Sequence, residues 1–344
     1  MLQLTQPPFP LLLRTPGLVL PPTIFGYIWR AGAWHQLALC LLAVAVFLLS
    51  AVPLELQRRI VDDAIRNGST RSILWLALAY AAVALAEGGI KLGMNVYRAW
   101  VSERAVTRLR QSVAALTGTA MAIDDRARAE GTEISMILSE AEPIGSFVGT
   151  GISEPLLQGG ILVAVFGYLA YLEPRIALLS MLVFSPQLVF VPLIQRAIAR
   201  RAAERIATLR EVGGGIVGTG DGDPRAVVAL NAGIDHVFSL SMGIFKLKFT
   251  MNFLMNLMHH MGVAVALGVG GYYAVKGQIE LGTVVAFVSG LAKINDPWGD
   301  LVNWFREMTV VSVRYRLMAD ALEWFAERGR NVTQTGQAGP GPTS

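Results

Sequence analysis

Lys248, Asn252, Asn256 and His259 recur at i, i+4, i+8 and i+11 at the start of a stretch, Phe249 to Val275, that holds no Asp, Glu, Lys or Arg. A helix crosses a membrane with ~20 such apolar residues, so the four polar groups form one stripe along a span. Hydrocarbon solvates them poorly, and they must face protein or a water-filled cavity. The chemistry this permits is hydrogen bonding and charge recognition along a path. Interhelical hydrogen bonding, worth about 0.6 kcal/mol per bond, uses the same spacing, and both uses stand. Met251, Met255 and Met258 form an adjacent stripe, suited to core packing and to an adaptable binding surface alike. Glu87 and Lys91, four residues apart on one face of another apolar run, are a structural ion pair or a proton relay. Lys293 and Asp296 make a charge pair, a loop contact or a substrate contact in the outer half of the last span. His259 and His260 point ~100° apart on a helix with no carboxylate near, so neither a metal site nor a catalytic group is assigned.

The elements that carry these residues follow from composition. Hydrophobic residues make up 53% of the chain and charged residues 16%, with a mean hydropathy of +0.49; a soluble domain has roughly 25% charged residues. The class is therefore an integral membrane protein, all-α and polytopic. Cys40, the single cysteine, excludes an internal disulfide. Residues 1–22, with Pro7, Pro8, Pro10 and Pro16 and no basic residue ahead of the apolar patch, form an arm rather than a cleaved signal. Thr23 to Arg30, with Phe25, Tyr27, Ile28 and Trp29, suits a short helix in the membrane interface.

Six spans are expected at about 33–56, 72–96, 144–172, 176–195, 249–275 and 282–313. Arg58 to Arg71 is expected as a polar loop, and Glu173-Pro174-Arg175 and Lys276 to Glu280 as tight turns. Two long helical excursions separate spans two from three and four from five. The first breaks near Asp124-Asp125 and Gly131, and the second breaks across Gly213 to Pro224, which holds six glycines. The run Gly218-Thr219-Gly220-Asp221-Gly222 lacks the lysine of a phosphate loop, and Asp221 and Asp223 suggest no calcium site. Glu154, before Pro155, needs no special role at the boundary of span three. A Gly, Pro and Thr-rich tail from Asn331 reads as disordered. Of 29 Lys and Arg, 21 fall in the termini, the long excursions and the basic end of the last span, against 6 in the short loops. This places both termini and both excursions in the cytoplasm, and explains the net charge of +4 without a nucleic acid.

The layout resembles the transmembrane domain of an ABC exporter (the type-1 or type IV fold) over about residues 23–322. Gly271-Tyr272-Tyr273-Ala274-Val275-Lys276-Gly277, joined through Gln278 and Ile279 to Glu280-Leu281-Gly282-Thr283-Val284-Val285-Ala286-Phe287, is similar to that family's hairpin signature. Asp296-Pro297-Trp298 is similar to the family's Pro-(Leu/Trp) position, and Val311 to Leu322 resembles its run toward the nucleotide-binding domain. The resemblance implies a permease half with a substrate path shared with a second transmembrane half in a homodimer or heterodimer, in membrane lipid. It also implies a nucleotide-binding ATPase partner holding ATP and Mg. No Gly-x-x-x-x-Gly-Lys-(Ser/Thr) occurs in the 344 residues, which implies a split-transporter subunit or a half-transporter without its ATPase domain, residues 323–344 being a tail. The expected location is the plasma (cell inner) membrane.

By the same resemblance each excursion ends in a short helix that docks on the ATPase. Gly131, Thr132, Glu133 and Ile134 correspond to the first, and Glu211, Gly215 and Ile216 to the start of the second. The glycines after Ile216 depart from the pattern and put coupling there in question. A secondary transporter driven by an ion gradient, with Glu87, Lys91 and His259 as relay, and a non-transporting degenerate scaffold are the alternative readings.

Overall fold

Helix periodicity and apolar composition dominate the whole chain. The computed structural model describes residues 21–66, 69–120, 127–218 and 224–337, almost entirely helical and without a strand among them. The helices are α1 (Ile24–Ser50), α2 (Val52–Arg66), α3 (Thr70–Ala120), α4 (Ala127–Thr150), α5 (Ser153–Leu172), α6 (Pro174–Phe184), α7 (Gln187–Gly218), α8 (Pro224–Val275) and α9 (Leu281–Gln337). The all-α polytopic class is thus established. Among the described residues, five stretches are long and apolar enough to cross a membrane: Ile24–Ile65, Thr70–Ser112, Ser153–Leu172, Pro174–Leu209 and Val228–Val275. The expected sixth span lies on α9, whose apolar run is interrupted by Lys293, Asp296, Asp300 and Arg306, and it falls outside this set.

Prolines set several of the helix starts. Pro53 and Pro155 lie in the first turns of α2 and α5, Pro174 opens α6, and Pro186 immediately precedes α7. A proline there loses only an N–H that has no intrahelical partner. Two expected spans are therefore broken: the third at Gly151-Ile152, between α4 and α5, and the fourth at Ser185-Pro186, between α6 and α7. Arg58 and its neighbours are not a loop but the body of α2, where Glu55 pairs with Arg58 and Arg59 along one helix face.

The excursions are more continuous than expected. Gly131 lies inside α4, and α7 runs through Gly213, Gly214 and Gly215 to Gly218, so the second break does not begin at Gly213. No separate short docking helix appears among the described residues. The Asp124-Asp125 break and Gly220-Asp221-Gly222 lie outside the described residues, as do Asn67-Gly68 and residues 1–20. The tail expected from Asn331 is helical to Gln337, the rest lying outside the described residues.

The chain forms two compact units. The first comprises Met1–Pro53, Ala79–Ala164 and Pro297–Ser344, and the second Leu54–Leu78 and Val165–Asp296. Two of the divisions fall at Pro53 and Pro297, where a missing backbone donor makes a helix easiest to bend. In the first unit, Thr23 caps α1 by accepting from the Gly26 N–H. Gly32 is non-helical (φ 176°, ψ 65°) and separates residues 24–31 from the rest of α1. Tyr315, 2% exposed, donates to the Pro21 carbonyl at 2.8 Å and packs on Tyr27, anchoring that helix to α9. In the second unit α6 and α7 pack on α8.

The turn between α8 and α9 has a fixed geometry. Gly277 takes φ +69°, the Gln278 N–H donates to the Tyr273 carbonyl and the Gly277 N–H to that of Ala274, each at 2.9 Å. This is a Schellman termination, in which the left-handed position is open to glycine at no steric cost.

Candidate functional site

The polar stripe of α8 sits in the second unit. Lys248, Asn252 and Asn256 are exposed on a single chain, and His259 is half-buried with its Nδ1 buried and without a hydrogen-bond partner. Met251 is buried, and Met255 and Met258 are half-buried. Phe249 and Phe253, each 64% exposed, flank the polar groups. This apolar helix therefore turns a mixed polar and aromatic face away from its own unit.

Lys293 is half-buried and Asp296 exposed on α9, also in the second unit. Glu87, half-buried, and Lys91, exposed, lie in the first unit on α3. The side chains of Thr132, Glu133, Ile134, Glu211 and Ile216 lie outside the described residues, while Gly131 and Gly215 lie within α4 and α7. His259 and His260 touch rings at 5.3 Å, and among the described residues no group of three or more His, Cys, Asp or Glu is placed to hold a metal. An ATP phosphate would find no P-loop on these residues.

Two polar clusters were not singled out by the sequence. In the first unit Arg98 on α3 forms an ion pair with Glu154 on α5 and donates from Nε to Ser153 Oγ at 3.1 Å. Gln158 Nε2 then bridges Glu154 at 2.8 Å and Asp300 of α9 at 3.0 Å. The Arg98 and Glu154 side chains are only 12% and 19% exposed, so Glu154 holds a structural charge pair rather than an idle boundary position. The break at Gly151 lies beside this cluster, its carbonyl accepting from Trp304 Nε1 at 3.2 Å.

In the second unit Arg58 bridges Glu55, Asp62 and Glu280, and Tyr168 donates to Glu55 at 2.7 Å. Asp62 Oδ1 accepts the Gly282 N–H at 2.8 Å, capping the start of α9. A Cβ on Gly282 would lie 2.3 Å from the Arg58 carbonyl oxygen and 2.6 Å from Asp62 Oδ1, so the backbones of α2 and α9 meet at van der Waals limit. Gly282→Ala is expected to lower stability by about 1–3 kcal/mol through this overlap. Thermal unfolding of the detergent-solubilised chain checks it; an unchanged midpoint contradicts the close approach. The spacing of Glu55, Arg58 and Asp62 on one helix face was a visible signal, but their partners Tyr168 and Glu280 were not.

A scan against family models matches residues 36–213, just over half of the 344-residue chain, to the ABC transporter transmembrane region. The chain belongs to that family. Among curated proteins no match is found. The match spans α1 from Gln36 to α7 at Gly213, whereas the hairpin resemblance lies at residues 271–298, so the two indications rest on separate segments. As an ABC transporter transmembrane region, the chain is a multi-pass membrane component of a transport system.

Proposed function

We propose that this ABC transmembrane region is one half of an ATP-driven exporter. A second half, identical or related, completes the path, and partner ATPase subunits bind ATP with Mg and switch the path between inward and outward access. The reading places both termini and the ends of α3, α4, α7 and α8 in the cytoplasm, the membrane being the plasma membrane. It makes α9 the sixth span, its charged positions facing protein or water. The observation that carries it is the α8 face: Asn252 and Asn256, within the apolar run, and Lys248 at its edge are exposed on one chain, where lipid would oppose them. A cavity shared with a second half relieves that cost. Lys293 and Asp296 are further lining candidates, and the segments around Gly131 to Ile134 and Glu211 to Ile216 are the ATPase contacts.

Cys40 is the only thiol, so a Cys40→Ser background permits a direct test. Asn252→Cys is expected to react with a charged, membrane-impermeant thiol reagent in vesicles at least about tenfold faster than Phe253→Cys. Its labelling should change when the partner ATPase is loaded with ATP. Equal protection of both positions would place the stripe in a protein contact and remove the path.

A further inference from the structure

Where α1 bends at Gly32, the first unit holds a cleft of unusual composition. It is lined by Ala31, Gly32, His35, Gln36, Trp100, Arg104 and Arg108 among others, and no Asp or Glu lines it. Arg104 and Arg108 stand one helical turn apart on α3. The Arg104 guanidinium lies 5.0 Å over the Trp100 ring, and Arg108 donates to the Ala31 carbonyl at 3.2 Å. Tyr97, just behind the lining, stacks on Trp100 and hydrogen-bonds His35 Nδ1, holding both rings in place. Trp29 and Trp34, 56% and 79% exposed, flank the bend. Tryptophan concentrates at the headgroup level of a bilayer, and cationic pockets on such surfaces suit lipid phosphates.

Gln36 supplies an independent observation. It is 1% exposed, its Nε2 donates to the Val148 carbonyl at 2.8 Å, and its Oε1 is buried with no hydrogen-bond partner. The cavity volume of about 20 Å³ admits a water-sized group and little more. That volume takes one small donor such as a hydroxyl against the orphaned Gln36 acceptor, and leaves a phosphate attached to it at the mouth, beside Arg104 and Arg108.

We propose that this cleft binds an anionic phospholipid whose headgroup carries a hydroxyl, of the phosphatidylglycerol type, with its phosphate on Arg104 and Arg108 and its hydroxyl directed to Gln36 Oε1. The site rests on the membrane assignment and is independent of the exporter reading. The lipid would fasten the interfacial helix of α1 to α3 at the bilayer surface.

The test is native mass spectrometry of the detergent-purified full chain titrated with phosphatidylglycerol, phosphatidylmethanol, phosphatidylcholine or glycerol phosphate. Adducts are expected in the order glycerol, methanol, choline headgroup, with glycerol over choline by roughly thirtyfold for two arginines. Arg104→Gln with Arg108→Gln should abolish that preference, while Arg175→Gln, in the second unit, should keep it. Gln36→Leu should make the glycerol and methanol headgroups equal while both still exceed choline. Thermal unfolding confirms that each variant is folded, and a folded double variant that retains the preference overturns the site. So does equal binding of phosphatidylcholine. Glycerol phosphate binding as tightly as the intact lipid would make this a soluble-anion site and refute the lipid.

Discussion

Gly149→Leu is expected to destabilise the first unit by about 3 kcal/mol or more, because part of the obstruction, the Arg98 carbonyl, is backbone and cannot rotate away. A Cβ at Gly149 would lie 2.3 Å from Ser102 Oγ and 2.5 Å from the Arg98 carbonyl oxygen. One turn earlier, a Cβ at Gly145 would lie 2.6 Å from the Val106 nitrogen and 2.7 Å from its Cα. The two glycines, four residues apart on α4, let α3 approach to backbone contact, the small-xxx-small arrangement of membrane helices. Ser102 Oγ donating to the Ser146 carbonyl at 2.9 Å depends on that closeness. Thermal unfolding in detergent reads the loss. Gly159→Leu, whose Cβ would meet nothing within 4 Å, is the matched substitution and should shift the midpoint little; equal losses at the two positions would contradict the close packing.

Arg98→Met is expected to cost about 2–3 kcal/mol, below the roughly 3–5 kcal/mol for breaking a fully buried ion pair, since both partners keep some solvent contact. The change leaves the Glu154 carboxylate without its cation and Ser153 Oγ without the Arg98 Nε donor. Adding Glu154→Gln removes the stranded charge, and the double variant should recover about half of the loss. The neutral amide can still meet Gln158, which keeps its bond to Asp300. Chemical unfolding of the single and double variants gives the coupling. Additive losses would mean that Arg98 contributes through packing alone.

The apolar content of the spans was legible because it reflects one segment and its solvent. The α8 stripe was legible for the same reason, and its residues are exposed or half-buried where the pattern put polar groups. Gly277 and Gly282 could be quoted as a signature, but their causes appeared only with a φ of +69° at one and the Arg58 carbonyl against the other. The breaks at Gly151 and at Ser185-Pro186 were hidden because hydropathy continues through them. Through the glycines from Gly213 the opposite error arose: intrinsic cost suggested a break, while α7 continues to Gly218.

By itself, then, the sequence determined the solvent of this ABC transmembrane region, its helical class and which faces carry polar groups, since all three depend on residues within a turn or two of each other. Tertiary structure alone decided which charges are paired. Arg98 and Glu154 are 56 positions apart, and Asp62 and Gly282 are 220 apart. No local period encodes such a meeting, because it exists only after close-packed helices have brought the groups together and removed the water that would otherwise solvate each one.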